Sequence, residues 1–125
     1  MIRALIFVGI GGGLGSMLRY ATSLLMQRFY PHAFPVATLI VNVLGCLLIG
    51  VLIALLGKST TLQADVKLLL VTGFCGGYTT FSAFAYENIQ LLQSGQYQAA
   101  VLYIFSSIVL CLLAVWCGML VSLWL

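Results

Sequence analysis

Four long apolar stretches, parted only by short polar segments, constrain this chain more than any other feature. Each is close to the ~20 residues a helix needs to cross the hydrocarbon core of a bilayer. In that core no water satisfies the backbone, so every N–H and C=O must bond within its own segment, and each stretch is expected to be a helix. A soluble domain carries about a quarter charged residues. Here the share is 6%, against 63% hydrophobic. No soluble core hides that much apolar surface, so the expected class is an all-α integral membrane protein with four transmembrane helices.

One domain is expected over 1–125, with spans near 2–27, 36–57, 68–92 and 99–125. Pro31 and Pro35 punctuate the loop "RFYPHAFP". "GKSTTLQADVK" reads as a polar loop holding Lys58, Asp65 and Lys67, and "QSGQYQ" as a turn. The opening "MIRALIFVGIGGGLG" starts like a signal peptide, but no small-residue cleavage site leads into a polar chain, so it reads as a retained first span. Cys46, Cys75, Cys111 and Cys117 all lie in apolar runs without metal-ligand spacing and read as small buried hydrophobes. The net charge of +3 comes from scattered basic residues with no basic run, which argues against a nucleic-acid partner.

Basic residues in short loops set membrane orientation. With four spans, one side carries Arg3, Lys58 and Lys67; the other carries Arg28, with Arg19 close to it inside the first span. So even a balance permits insertion both ways, and therefore an antiparallel homodimer of dual topology. The plainer alternative is one orientation with the middle loop cytoplasmic.

Several polar residues stand where a plain membrane helix has no use for them. Arg19 follows "GGGLGSML"; it either snorkels to the interface or forms an electropositive anion entrance. Before it, Gly9, Gly11, Gly13 and Gly15 make two overlapping G-x-x-x-G pairs, a pattern for close helix packing. Asn42, in "TLIVNVLG", either glues two helices or faces a pathway, and nearby Gly45 suggests close approach of another backbone. The third span holds "GFCGGYTTFSAF" at its centre. Non-helical backbone is tolerated at that depth only where it is buried in protein or lines a cavity. Unwinding around Gly76, Gly77, Tyr78 and Thr79 would free carbonyls for a hard cation such as Na⁺. It would also start a new helix at Thr79 to Ser82, whose N–H groups favour anions. Thr79, Thr80 and Ser82 add hydroxyls, though a packing kink would also explain the glycines. Phe81 and Phe84 share a helical face; they either pack or turn their positive ring edges toward an anion. In the fourth span Tyr103, Ser107 and Cys111 form a polar stripe with Ser106 beside it, facing the bundle or bonding back to its own helix. Glu87 ends the uncharged run of the third span and could pair with a cation.

These groups are neutral donors, aromatic edges and one arginine. No carboxylate sits in the middle of a span, as a proton-coupled pump would need. His32 is alone in a loop, so neither a metal cluster nor a catalytic triad is credible, and an enzyme is not expected. A passive pore for an anion that needs hydrogen-bond donors fits best. A small multidrug transporter would carry a glutamate in its first span, which this chain lacks. A non-transporting scaffold would tolerate loss of Asn42, Phe81 and Phe84.

"GGGLGSMLRY", "TLIVNVLG" and above all "GFCGGYTTFSAF" resemble the Fluc (CrcB) fluoride channels of bacteria, in order and over the whole chain. The resemblance implies a multi-pass protein of the inner (plasma) membrane that exports fluoride passively. It implies an antiparallel homodimer with two pores, and a structural Na⁺ held by backbone carbonyls at positions matching Gly76 and Thr79. The pore phenylalanines match Phe81 and Phe84, the pore asparagine Asn42, and the arginine of the first motif Arg19. The polar track matches Tyr103 and Ser107, with Thr80 and Ser82 as further donors. Cys111 and Val115 stand where some members carry hydroxyls, and Ala83 replaces another.

Overall fold

The computed structural model describes residues 1–30, 34–57 and 61–121, apart from the side chains of 61–63. Pro31, His32 and Lys58, invoked above, lie outside the described residues. Among those described, every regular element is helical. Helix α1 runs Ile2–Phe29, α2 Val36–Leu55 and α6 Tyr97–Leu120. The third span is composite: α3 Thr61–Lys67, a π-helical stretch Leu68–Cys75, a short α4 Gly76–Tyr78, then α5 Phe81–Gln93. Four helices are long and apolar enough to cross a membrane. Exposed Leu14, Phe105, Leu112 and Trp116 give α1 and α6 apolar outer faces suited to lipid.

Two expectations about the third span need correction. Thr61 to Lys67 are helical, not loop, and Arg3 of α1 pairs with Asp65 there. Gly76 and Gly77 do not unwind: Gly76 keeps a helical φ of −63° and ψ of −35°, and extended backbone is confined to Thr79 and Thr80. The glycines serve approach instead. A Cβ on Gly77 would strike the Gly12 backbone, with its Cα at 2.9 Å. One on Gly15 would strike the Phe74 carbonyl and lie 2.8 Å from the Tyr78 nitrogen. Without side chains at these points α1 lies against the third span backbone to backbone, where dispersion contacts bind helices in lipid. Of the two G-x-x-x-G pairs only Gly11 and Gly15 face inward; Gly9 and Gly13 meet open space.

Helices α2 and α6 run side by side in the same direction. A Cβ on Gly50 would strike the Val115 carbonyl, and one on Gly118 would lie 2.8 Å from the Val51 nitrogen. The turn from α5 to α6 closes as a Schellman motif: Gln96 N–H bonds Leu91 C=O at 2.9 Å and Gly95 N–H bonds Leu92 C=O at 3.1 Å. Gly95 supplies the positive φ, +74°, that this turn requires. Leu91, Ala100 and Tyr103 form the buried core at this end, with Phe34 and Phe84 packed on it.

Candidate functional site

The site grows from the break. Thr79 takes φ −76° and ψ 157°, and Thr80 φ −150° and ψ 118°. Upstream, the Thr79 N–H and hydroxyl both donate to Cys75 C=O at 2.9 Å, finishing the incoming helix. A continuous helix would next give the Thr80 N–H to Gly76 C=O. Asn42 takes its place. Thr80 N–H donates to Asn42 Oδ1 at 2.7 Å, and Asn42 Nδ2 donates to Thr80 C=O at 3.1 Å. One amide thus satisfies both backbone groups of the residue that leaves the helix. Downstream, Thr80 Oγ1 accepts from Ala83 N–H at 3.2 Å as the N-cap of α5.

Asn42, Thr80, Phe81, Phe84 and Ser107 border one cavity of about 290 Å³ between α2, the break and α6. Cys46 and Cys111 border it too, and no charged side chain does. Phe81 and Phe84 lie 5.5 Å apart with rings tilted 42°. Ser107 is buried, and its hydroxyl has no hydrogen-bond partner. A buried polar group left unpaired costs free energy, and Asn88 Oδ1 is in the same state. Gly45 meets the side chains of Thr79 and Tyr78 here, rather than the backbone anticipated from sequence.

A second cavity, about 320 Å³, lies on the other side of the break. Arg19, Ser16 and Ser23 border it from α1, Thr38 from α2, and Glu87 from α5. Thr80 borders both cavities. Arg19 is half-buried and makes no ion pair among the described residues, and it shares this second space with the Glu87 carboxylate. Among the described residues Glu87 is bound by hydroxyls rather than by a cation. Thr38 Oγ1 donates to Glu87 Oε1 at 2.6 Å and the Tyr103 hydroxyl to Glu87 Oε2 at 2.7 Å.

The structure gathers most of the sequence-predicted residues and sets two apart. Tyr103 is fully buried and does not border the first cavity; its ring stands 5.1 Å from Phe84 and its hydroxyl is given to Glu87. Ser82 is exposed, with its hydroxyl 3.2 Å from Thr80 Oγ1. The Thr38 part was missed from sequence, because a lone threonine at the start of a span gives no signal without its partner. For a cation, no group of three His, Cys, Asp or Glu side chains gathers among the described residues. The backbone offers a carbonyl: the break withdraws the Thr80 N–H from Gly76 C=O, and Gly76 is exposed, with nothing within 4 Å of where its Cβ would stand.

Fold and site together define a small multi-pass membrane protein with an uncharged, donor-lined cavity at a broken helix. Residues 6–119 match the family described as CrcB-like protein, Camphor Resistance (CrcB). The chain is 47% identical over 121 residues to a protein of Flavobacterium psychrophilum named fluoride-specific ion channel FluC, covering 97% of this chain and 98% of that one. It is 49% identical over 109 residues to a protein of the same name from Azobacteroides pseudotrichonymphae, covering 87% of each. A third, from Campylobacter lari, is 43% identical over 121 residues, covering 97% and 98%. The chain belongs to the CrcB family and is a multi-pass protein of the inner membrane.

Proposed function

We propose that this protein is a fluoride-selective channel that lets fluoride leave the cell passively. The uncharged cavity at the helix break, bordered by Asn42, Thr80 and Ser107, carries the reading. Fluoride is small and strongly hydrated, so a pore must replace its water with donors. Asn42 from α2, Thr80 from the break and Ser107 from α6 border the cavity, and in this reading the edges of Phe81 and Phe84 bridge the apolar gap. In this reading Arg19 marks the anion entrance at the second cavity, with Glu87 held by the Thr38 and Tyr103 hydroxyls, and Thr80 leads from there to the first. No carboxylate borders the first cavity, which suits an anion. The names of the relatives support the choice of fluoride among small anions.

The working unit in this reading is an antiparallel homodimer with two pores. Phe81, at the cavity edge, is 79% exposed in a single chain, so one chain does not close the passage. The near balance of basic residues between the two sides suits insertion both ways. Gly76 and Thr79 carbonyls at the break would hold a structural Na⁺, which supplies fixed positive charge to hard oxygen ligands and no chemistry.

The test is growth on fluoride of bacteria stripped of their own fluoride exporter. This chain should restore growth, and Phe81→Ile should withdraw the rescue. Failure of the intact chain, present in the membrane at normal level, would refute the reading.

A further inference from the structure

The packing of α2 on α6 sets up a ladder. Thr38 and Tyr103 meet on the same Glu87 carboxylate. One turn on, Asn42 and Ser107 border one cavity. Two turns further, Gly50 packs on Val115. The rung between is Cys46 and Cys111. Both are free thiols, both are half-buried, and both border the cavity. Cys46 stands four residues after Asn42 and Cys111 four after Ser107, so the register of the ladder sets the two thiols on the same rung. The other two cysteines stand apart: Cys75 is fully buried and Cys117 is exposed, and neither borders the cavity.

We propose that Cys46 and Cys111 form a two-thiolate site for a soft cation that takes two ligands in line, of the class of Hg²⁺, and that its occupation blocks the cavity. Soft thiolates select soft metals. Zinc would need four ligands, and the described residues supply no third His, Cys, Asp or Glu beside this pair. Hard cations would find neither carboxylate nor a charged oxygen at the cavity wall. The thiolate is the ligand, so the metal displaces the proton of each thiol, forms two metal–sulfur bonds and releases two protons, with no change of oxidation state. A metal on this rung sits one turn from Asn42 and Ser107. Block of flux, unlike binding, rests on that cavity being the fluoride route.

The experiment titrates the purified full chain, carrying Cys75→Ala and Cys117→Ser, with mercuric chloride. Metal–thiolate ultraviolet absorbance, proton release and fluoride efflux from liposomes are followed together. The expected result is one Hg²⁺ per chain with two protons released, efflux falling in step, and recovery on adding dithiothreitol. Cys46→Ala or Cys111→Ala, each read against its own basal flux, should raise the half-saturating Hg²⁺ by more than about 100-fold, beyond what loss of an outer-shell partner costs. Two Hg²⁺ per chain, or unchanged affinity in either variant, would overturn the site. Should the background variant not fold, the same two single changes in the otherwise intact chain give the same comparison. Paired binding with undiminished efflux would uphold the site and overturn the cavity as the fluoride route.

Discussion

Replacing Asn42 with alanine should heal the broken helix. The Asn42 amide accepts from Thr80 N–H at 2.7 Å and donates to Thr80 C=O at 3.1 Å, and Thr80 is buried. Each bond contributes about 1 kcal/mol net, and a buried group left unpaired costs about 1–3 kcal/mol. Bonds between membrane helices fall at the lower end of this range, near 0.6 kcal/mol on average. Losing both should therefore shift the balance between broken and continuous helix by about 2–4 kcal/mol, a factor of tens to hundreds. The Thr80 N–H can then return to Gly76 C=O, and the Thr80 side of the cavity closes. In Asn42→Ala, amide hydrogen exchange at Thr80 should slow as that bond forms, and fluoride efflux should fall by at least about tenfold. Asn42→Asp keeps the acceptor for Thr80 N–H, so the break should survive while the added negative charge repels the anion. Asn42→Ala with unchanged exchange at Thr80 and unchanged efflux would refute this account of the break.

Ser107→Ala should leave the thermal midpoint unchanged or raised, because a buried hydroxyl without a partner costs ~1–3 kcal/mol to bury, yet efflux should drop; a lower midpoint with normal flux would reverse the assignment. Phe81→Ile keeps the apolar bulk and removes the ring edge, so the protein should remain folded by size-exclusion chromatography while losing fluoride flux. Gly15→Ala places a methyl against the Phe74 carbonyl and the Tyr78 nitrogen, and should destabilise by about 1–3 kcal/mol, read as a fall in the melting temperature of the solubilised protein. Glu87→Gln turns one of two accepting oxygens into a donor facing a hydroxyl, and should cost about 1–3 kcal/mol in the same assay.

Much of the fold was legible because a membrane leaves few choices: an apolar stretch of sufficient length must be a helix, and an interruption at its centre must be buried in protein or line a cavity. The break was legible in kind but misplaced in extent. Gly76 and Gly77 looked like the point of unwinding, since glycine permits it; their actual work is to lie against α1, a tertiary contact no local pattern reveals. Asn42 was legible as an intramembrane polar residue, but not its partner, because the amide reaches a backbone 38 residues away. Tyr103 sits on the stripe expected for it, yet its hydroxyl is given to Glu87, and only the packing of α5 on α6 decides that. The start of the third span was set too late, because Asp65 and Lys67 read as loop residues until Arg3 is seen to hold Asp65 against α1.

The central claim is that the cavity at the break conducts fluoride and rejects other halides. Efflux from liposomes holding the purified protein, with fluoride and chloride electrodes read in parallel, tests it most directly. Rapid fluoride release without chloride release is the predicted result. Release of both ions, or of neither from folded protein, would contradict it and leave the break as a feature of helix packing.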